Sequence, residues 1–245
     1  MARAYYNEID SFAAQWLRNL IAAGHIADGD VDQRSIVDVL PGDLSGYTQA
    51  HFFAGIGGWS LALRLAGWAD DRPVWTGSCP CQPFSVAGKG IGEADPRHVW
   101  PIWFRLIREH RPCVVLGEQV AAAIGRGWYD DVADDLEREG YAVAAAVLPA
   151  AGVGAPHIRD RLWFVADASA SRLPISEQEA VSRKGRREEG RATPECRRWP
   201  AEPAVGRVAH GVPGRVGRLR AYGNAIVPQV AAEVIAAFME CEPHG

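Results

Sequence analysis

Short apolar runs alternate with helical patterns along most of this chain. The runs VWTGS (74–78) and CVVLGEQV (113–120) have the composition of strands, whereas segments 11–23 and 99–109 carry apolar residues at helical spacing. Strands that are apolar without interruption are typical of a parallel sheet covered by helices on both faces. The sequence therefore predicts a doubly wound α/β fold with a mostly parallel sheet. Functional loops of such folds lie at the carboxyl ends of the strands, where we expect the tight turns at 55–58, 78–85 and 117–119.

Composition restricts the kind of protein this is. The 245 residues carry a formal net charge of −4, and they suffice for one buried core with a small appendage. No apolar run is long enough to span a bilayer, and the start, MARAYYNEID, lacks the pattern of a signal peptide, so we expect a cytoplasmic protein without membrane contacts. In that reducing compartment the five cysteines should not form disulfides. The spacing of Cys79 and Cys81 is not that of a zinc knuckle, so we expect no metal, which leaves thiol chemistry or an inert thiol.

Three polar groups follow predicted strands and could carry chemistry. Cys81 lies in a stiff, proline-flanked turn, where a thiolate nucleophile is plausible, although a single cysteine is usually inert. Glu118 ends an apolar strand at the same sheet edge; burial would raise its pKa and make it an acid, or it could cap a neighbouring helix. Arg159 and Arg161 alternate at the start of a strand, which suits an anionic or carbonyl-rich ligand, with surface ion pairing as the alternative.

A glycine turn, FAGIGG (53–58), follows one strand and precedes a helix. Glycines there let a backbone approach a ligand closely, so the turn favours a nucleotide-like cofactor over a merely tight turn. A nicotinamide dehydrogenase is disfavoured because the third glycine of the dinucleotide fingerprint is missing. Glu8 follows the first strand and could bind ribose hydroxyls, although a solvated acid at a helix start is the simpler interpretation.

Together these motifs resemble the DNA cytosine-5 methyltransferases. FAGIGG resembles the first cofactor motif of that family, PCQPFS (80–85) its catalytic motif, and YGNAIVP (222–228) its C-terminal Gly-Asn motif. GEQV resembles the Glu-Asn-Val motif with Gln119 in place of Asn, and PHIRDR resembles the Gln-x-Arg-x-Arg motif with His157 in place of Gln. The resemblance covers most of residues 5–166 and 218–240.

The resemblance implies a Rossmann-like fold, S-adenosylmethionine as methyl donor and double-stranded DNA as substrate. It implies that Cys81 attacks C6 of a flipped-out cytosine, Glu118 donates a proton at N3, Arg161 holds the base carbonyl and Arg159 supports the thiolate. The expected cofactor-binding residues are Phe53, Ala54, Gly55, Ile56, Gly57, Gly58, Glu8, Ile9, Asp30, Val31, Pro80, Asn224, Ala225 and Ile226. The expected DNA-binding residues are Gln82, Ser85, Lys89, Arg97, Arg186, Arg187, Arg197 and Arg198.

The motif order departs from that of the family. Only a short segment separates Gly58 from Cys81, with room for one helix and one strand, so two motifs are missing between them. YNEID (6–10) resembles the missing acidic motif and GDV (29–31) the missing Gly-Asp motif. We therefore expect that these two motifs have moved ahead of the glycine turn, with the sheet order kept.

The resemblance also suggests how the chain is organised. We expect a catalytic and cofactor-binding core at 1–167, a short basic target-recognition segment at 168–217, and a helix that returns to the core at 218–245. By composition alone, a disordered basic linker is an equal alternative for the middle segment. We expect a monomer in the cytoplasm of a bacterial or phage-infected cell, and the compact form suggests a phage or prophage enzyme. The alternatives are a catalytically weak DNA-binding relative and an RNA cytosine methyltransferase.

Overall fold

The computed structural model describes residues 3–80, 99–169 and 224–241. Seven strands and five α-helices make up the framework in these ranges. The strands are β1 (Ala4–Asn7), β2 (Gly29–Asp32), β3 (Gln49–Phe52), β4 (Val74–Gly77), β5 (Val114–Val120), β6 (Ala142–Pro149) and β7 (Asp160–Asp167). The helices are α1 (Ser11–Ala22), α2 (Gly58–Leu65), α3 (Trp100–His110), α4 (Trp128–Arg138) and α5 (Pro228–Cys241).

The seven strands form one mixed sheet in the order β2-β1-β3-β4-β5-β7-β6. The pairs from β2 to β5 are parallel, and β7 runs antiparallel to both β5 and β6. The predicted, mostly parallel sheet is therefore confirmed. Because β7 is reversed, its first residues lie beside the last residues of β5, with Arg161 opposite Val120. The start of β7 thus belongs to the same edge as the carboxyl ends of the parallel strands.

Helices cover both faces of the sheet, which confirms the doubly wound architecture. On one face α3 and α4 pack on the aromatic side chains of β3 and β4, as in the contact of Phe52 with Trp103 at 5.9 Å between ring centroids. On the other face α2 and α5 pack around Trp59 and Trp163, and α1 packs on β1 through Leu17. No helix among the described residues is long and apolar enough to cross a bilayer.

Two glycines at strand ends set how closely the layers approach. A Cβ on Gly77 would lie 2.6 Å from the ring of Trp103 in α3, and one on Gly117 would collide with the ring of Phe164 in β7. Any side chain at these positions would displace an aromatic ring of the core. The ends of β4 and β5, from which Ser78 and Glu118 extend, are therefore fixed by close packing.

Two local features are not evident from the sequence alone. Asp10, and not the neighbouring Ser11, caps α1 and accepts hydrogen bonds from the amides of Phe12 and Ala13, both at 3.0 Å. β6 is an apolar run, yet it is an edge strand whose residues 144–147 are exposed. An edge strand built largely from alanine has little apolar area to bury, and its sequence alone does not show its place in the sheet.

The sheet order agrees with the relocation of two motifs ahead of the glycine turn. β1, which precedes Glu8, lies between β2 and β3, and β3 leads into the glycine turn. Residues far apart in the chain are direct neighbours here, since Tyr5 pairs with Asp30 on one side and Ala50 on the other. The carboxyl end of β1 therefore reaches the glycine turn from the adjacent strand.

Candidate active site

A pocket opens where the carboxyl ends of β3 and β4 meet the segment before α5. Its lining comes from the glycine turn, the start of α2, the end of β4 and the residues preceding α5. These residues are Phe53, Ala54, Gly55, Ile56, Gly58, Trp59, Ser78, Asn224, Ala225 and Ile226. The structure thus brings most of the expected glycine-turn residues together with all three expected residues of the C-terminal motif.

The glycine turn owes its shape to residues with positive φ. Phe53, Gly55 and Gly57 have φ angles of 53°, 56° and 82°. Among the described residues, a Cβ on Gly55 would have only the Phe53 carbonyl oxygen nearby, at 4.0 Å, so this side of Gly55 is open within the described structure. A Cβ on Gly58, in contrast, would lie 2.7 Å from the Ile226 side chain. Gly55 therefore leaves room in the pocket, and Gly58 lets the C-terminal segment pack against the start of α2.

Glu8 is tied directly to the glycine turn. Its Oε2 accepts a hydrogen bond from the Gly55 amide at 2.7 Å, and its Oε1 accepts one from the Asp10 amide at 2.8 Å. These two bonds orient the carboxyl group of Glu8 towards the glycine turn. The next residue, Ile9, has an exposed fraction of 68% and presents an apolar side chain beside the acid.

Asp30 and Val31 lie in β2, away from the residues that line the pocket. The Asp30 carboxylate forms an ion pair with Arg3 at 2.8 Å and accepts a hydrogen bond from the Tyr47 hydroxyl at 2.7 Å. Val31 packs with α1 on the other face of the sheet. The structure therefore does not bring Asp30 together with the glycine turn, and its expected contact with the cofactor stays a prediction.

Glu118 is the buried acid of the site, with an exposed fraction of 8%. Its Oε1 lies 2.8 Å from Nε of Arg161, and the Ser78 hydroxyl hydrogen-bonds to the same carboxyl group. Burial raises the pKa of Glu118, and the opposing influences of Arg161, Ser78 and Arg159 do not cancel that rise. A carboxyl group in this environment can hold and release a proton nearer to neutral pH than an exposed one.

The two arginines converge on Glu118 from the start of β7. Arg161 forms the ion pair, and its side chain is largely buried, so the surface pairing considered from the sequence is not what the structure contains. Arg159 precedes the strand with a φ of 40°, and its Nη2 donates to the Ala225 carbonyl at 2.7 Å. Arg159 therefore connects the acid to the segment that closes the pocket.

Gln119, next to the acid, faces the turn that leads to Cys81. Its side-chain amide donates to the Cys79 carbonyl at 3.3 Å, and its Oε1 accepts from the Val120 amide at 2.9 Å. The side chain is 2% exposed, so both contacts are shielded from water. Cys79 itself is buried in the core, and Pro80 follows it at the surface. Gln119 thus links β5 to the backbone two residues before Cys81.

Comparison with known proteins identifies the family. The family described as C-5 cytosine-specific DNA methylase matches residues 69–195, which is just over half of the chain. The chain belongs to this family. The match contains Ser78, Glu118 and both arginines of the site, and it begins downstream of the glycine turn.

Similar proteins include several type II methyltransferases. M.AplI of Arthrospira platensis is 29% identical over an alignment of 165 residues that covers 53% of this chain and 48% of that protein. M.AluI of Cellulosimicrobium cellulans is 33% identical over an alignment of 123 residues that covers 45% of this chain and 23% of that protein. The chain spans about half the length of M.AplI and M.NgoMIV, the latter from Neisseria gonorrhoeae.

Comparison with solved structures finds two Dnmt2 proteins among the matches. The crystal structure of a Spodoptera frugiperda DNMT2 mutant has a TM-score of 0.43 and 15% identity, and the matched region covers 71% of this chain and 52% of the DNMT2 chain. The S. pombe Dnmt2 methyltransferase has a TM-score of 0.40 and 17% identity, and the matched region covers 77% of this chain and 57% of the Dnmt2 chain.

Several expected residues of this methylase-family chain lie outside the described residues. These are Cys81, Gln82, Ser85, Lys89, Arg97, Arg186, Arg187, Arg197 and Arg198. Their predicted roles therefore stay predictions. His157, which stands where the resemblance has glutamine, is described and lies exposed before Arg159. Among the described residues, no group of three or more His, Cys, Asp or Glu side chains could hold a metal ion.

Sequence reasoning missed two site residues, Trp59 and Ser78. Both line the pocket, and Nε1 of Trp59 donates to Oγ of Ser78 at 3.1 Å. Trp59 directly follows the glycine turn, and Ser78 directly follows β4, so each occupies a position at the functional edge. That placement was the available signal, but a serine after a strand is common in turns, and a tryptophan in a helix is usually core.

Proposed function

We propose that this chain transfers a methyl group from S-adenosylmethionine to C5 of a cytosine in double-stranded DNA. The observation that supports this most directly is the placement of Glu118. A buried carboxyl group, paired with Arg161 and contacted by Ser78, lies at the sheet edge beside a glycine-lined pocket. The turn from Ser78 to Pro80, which leads to Cys81, is attached to the same strand through Gln119. This arrangement supports the proposal because the acid, the glycine-lined pocket and the described start of the turn that leads to Cys81 share one sheet edge.

The pocket residues fit S-adenosylmethionine. The open side of Gly55 allows close approach of a ligand to the backbone, and Glu8, fixed by the Gly55 amide, can accept hydrogen bonds from ribose hydroxyls. Ile9 offers an exposed apolar surface for an adenine ring. When bound, S-adenosylmethionine supplies an electrophilic methyl group. The chain's own residues then have to make the cytosine ring nucleophilic at C5.

Each protein group has a distinct task in this mechanism. The Cys81 thiolate forms a bond to C6, which moves an electron pair into the ring, and the Glu118 carboxyl group gives a proton to N3 to neutralise the charge that develops. Arg161 orients the acid and holds the base carbonyl, and Arg159 supports the thiolate and its loop. After methyl transfer a base removes the C5 proton, the bond between sulfur and C6 breaks, and Glu118 regains the N3 proton. The base must leave the duplex for these groups to reach it.

The remaining parts of the proposal concern targeting. We assign catalysis and cofactor binding to 1–167 and 218–245, and DNA recognition to the basic segment 168–217. The arginines of that segment suit phosphate contacts first and guanine contacts second. A monomer acting in the cytoplasm of a bacterial or phage-infected cell completes the proposal, with a phage origin as a further expectation.

Covalent trapping tests the proposal. Purified protein is mixed with S-adenosylmethionine and DNA duplexes carrying 5-fluorocytosine, whose C5 fluorine prevents the elimination step. We expect a protein–DNA adduct that is absent in Cys81→Ser and formed normally in Cys79→Ser, if that variant folds. No adduct on any duplex, with S-adenosylmethionine binding intact, would refute DNA methylation and favour a DNA-binding relative or an RNA substrate.

A further inference from the structure

A single hydroxyl group connects the pocket to the buried acid. Ser78 lines the pocket, accepts a hydrogen bond from Trp59 and hydrogen-bonds to Glu118. We propose that Ser78 is a positioning residue whose hydroxyl, fixed by the Trp59 indole, orients the Glu118 carboxyl group. The catalytic role of this contact rests on the proposed function. The chain of hydrogen bonds from Trp59 through Ser78 to Glu118, which we call the relay, can be tested without catalysis.

The chemistry of the three groups fixes the direction of the relay. An indole Nε1–H can only donate, so Oγ of Ser78 must be the acceptor over the 3.1 Å that separates them. The single proton of the Ser78 hydroxyl is then available for Glu118, which accepts it as it accepts the Nε–H of Arg161 at 2.8 Å. The order is therefore Trp59 to Ser78 to Glu118, with Arg161 donating from the opposite end.

Packing holds both ends of the relay in place. The parallel register pairs Gly77 with Gly117, so the next residues, Ser78 and Glu118, are adjacent across β4 and β5. The Trp59 ring meets the Trp163 ring edge to face, with centroids 5.6 Å apart, and Trp163 is the register partner of Glu118 in β7. Trp59 is 3% exposed and cannot turn its Nε1 elsewhere without disturbing this contact.

The relay has a predictable effect on the titration of Glu118. Among the described residues, three groups face this carboxyl group: Arg161 and Arg159 from the start of β7, and Ser78 from the end of β4. A hydroxyl that donates to a carboxylate stabilises its ionised form, so removal of the hydroxyl should raise the pKa of Glu118 further. Protonated Glu118 is the form that donates to N3, and it would then persist to higher pH, but with a less well-oriented proton.

Direct titration of Glu118 is the first experiment. Protein labelled with ¹³C at glutamate Cδ is titrated by NMR without DNA, and the Glu118 signal is assigned from its loss in Glu118→Gln. We expect the pKa of Glu118 to rise by roughly 0.5–1 unit in Ser78→Ala and to return towards the parent value in Ser78→Thr. Ser60→Ala is the matched control, because Ser60 is also a hydrogen-bonded serine, within α2, but contacts Tyr6 and Ala27. An unchanged Glu118 pKa in a folded Ser78→Ala protein would overturn the inference, whether or not the protein methylates DNA.

A double-mutant cycle tests the part played by Trp59. Trp59→Phe keeps an aromatic ring but removes the donor, so we expect a smaller rise of the Glu118 pKa, and Trp59→Phe/Ser78→Ala should titrate like Ser78→Ala alone. Additive shifts would show that Trp59 acts independently of Ser78 and would overturn the relay. If the parent forms the Cys81-dependent adduct, the high-pH limb of kcat/KM for methylation should move to higher pH in Ser78→Ala, by the same amount as the Glu118 pKa measured by NMR. The kcat of this variant should be about tenfold lower than that of the parent. A parent that forms no adduct would count against the proposed function and leave the NMR result to decide the relay.

Discussion

His51 makes the stability of this fold dependent on pH. It lies in the middle of the sheet with an exposed fraction of 1%, its Nδ1 is 2.8 Å from the Thr76 hydroxyl, and its ring lies against Tyr6. Burial lowers the pKa of His51 to about 3, with a weaker opposing effect from Asp70. The imidazole is therefore neutral in the folded protein at every pH at which the protein would normally be handled.

The sign and size of the effect follow from proton linkage. An unfolded histidine has a pKa of about 6.5, so below that pH the unfolded chain binds a proton that the folded chain excludes. Above about pH 6.5 neither state is protonated and His51 contributes no pH dependence. As the pH falls from 6.5 towards the folded pKa of about 3, each unit should remove about 1.4 kcal/mol of unfolding free energy. Between pH 7 and pH 5 the loss due to His51 should be about 2 kcal/mol.

Urea unfolding at pH 7 and pH 5 measures this loss. His51→Asn removes the titrating group and keeps a side-chain amide within reach of Thr76, so we expect it to lose about 2 kcal/mol less than the parent over this interval. The exposed His25 provides the control, and His25→Gln should retain the pH dependence of the parent. If the parent and His51→Asn lose equal free energy between the two pH values, His51 is not buried in its neutral form and the reasoning is wrong.

Three further predictions concern the site. Glu118→Gln should keep S-adenosylmethionine binding, measured by calorimetry, but lower the methylation rate at least about 100-fold, since the amide protons of glutamine are not acidic enough to be transferred to N3. A normal rate would exclude Glu118 as the acid. Gly58→Ala should weaken cofactor binding and lower the free energy of unfolding in urea by about 1–3 kcal/mol, because its Cβ would lie 2.7 Å from the Ile226 side chain. Gly42→Ala is the control, because no described atom lies within 4 Å of its Cβ position, and it should lower the free energy of unfolding by less than about 1 kcal/mol. Gln119→Leu should slow adduct formation on 5-fluorocytosine DNA about tenfold by releasing the Cys79 carbonyl, and an unchanged rate would show that this anchor does not position the turn.

The sequence predicted the framework because the framework depends on local patterns. Continuous apolar runs located β4 and β5, and helical spacing located α1 and α3, since these patterns follow from which side chains are buried. The reversed direction of β7 depends on contacts between distant residues and has no local pattern. The same holds for the exposure of β6, whose alanines and valines read as a buried strand. The glycine turn and the acid after β5 indicated which sheet edge holds the pocket and the buried carboxyl group, because such residues at strand ends are rare enough to be informative.

The parts of the site that escaped prediction are ordinary residues whose role comes from their neighbours. Ser78 is significant only because the register of β4 and β5 places it beside Glu118, and Trp59 only because its Nε1 reaches Ser78. Similarly, the ion pair of Asp30 with Arg3 could not be inferred from the GDV motif, since it depends on how β2 pairs with β1. Motifs identify candidate residues, and the packing of the sheet determines which of them meet.

The altered motif order shows the same dependence on spatial neighbours. The Gly55 amide donates to Glu8 across 47 residues of sequence, and Arg159 donates to the Ala225 carbonyl across 66. A strand in a parallel sheet is held by the strands on either side, so β1 can precede β3 in the chain and still deliver Glu8 to the glycine turn, provided that a crossover connects them. Each functional group needs only to arrive at the carboxyl edge beside the correct neighbour. A chain in which β1 and β2 precede β3 can therefore still assemble this edge, because the sheet order, and not the chain order, brings Glu8, Gly55 and Ser78 to one edge.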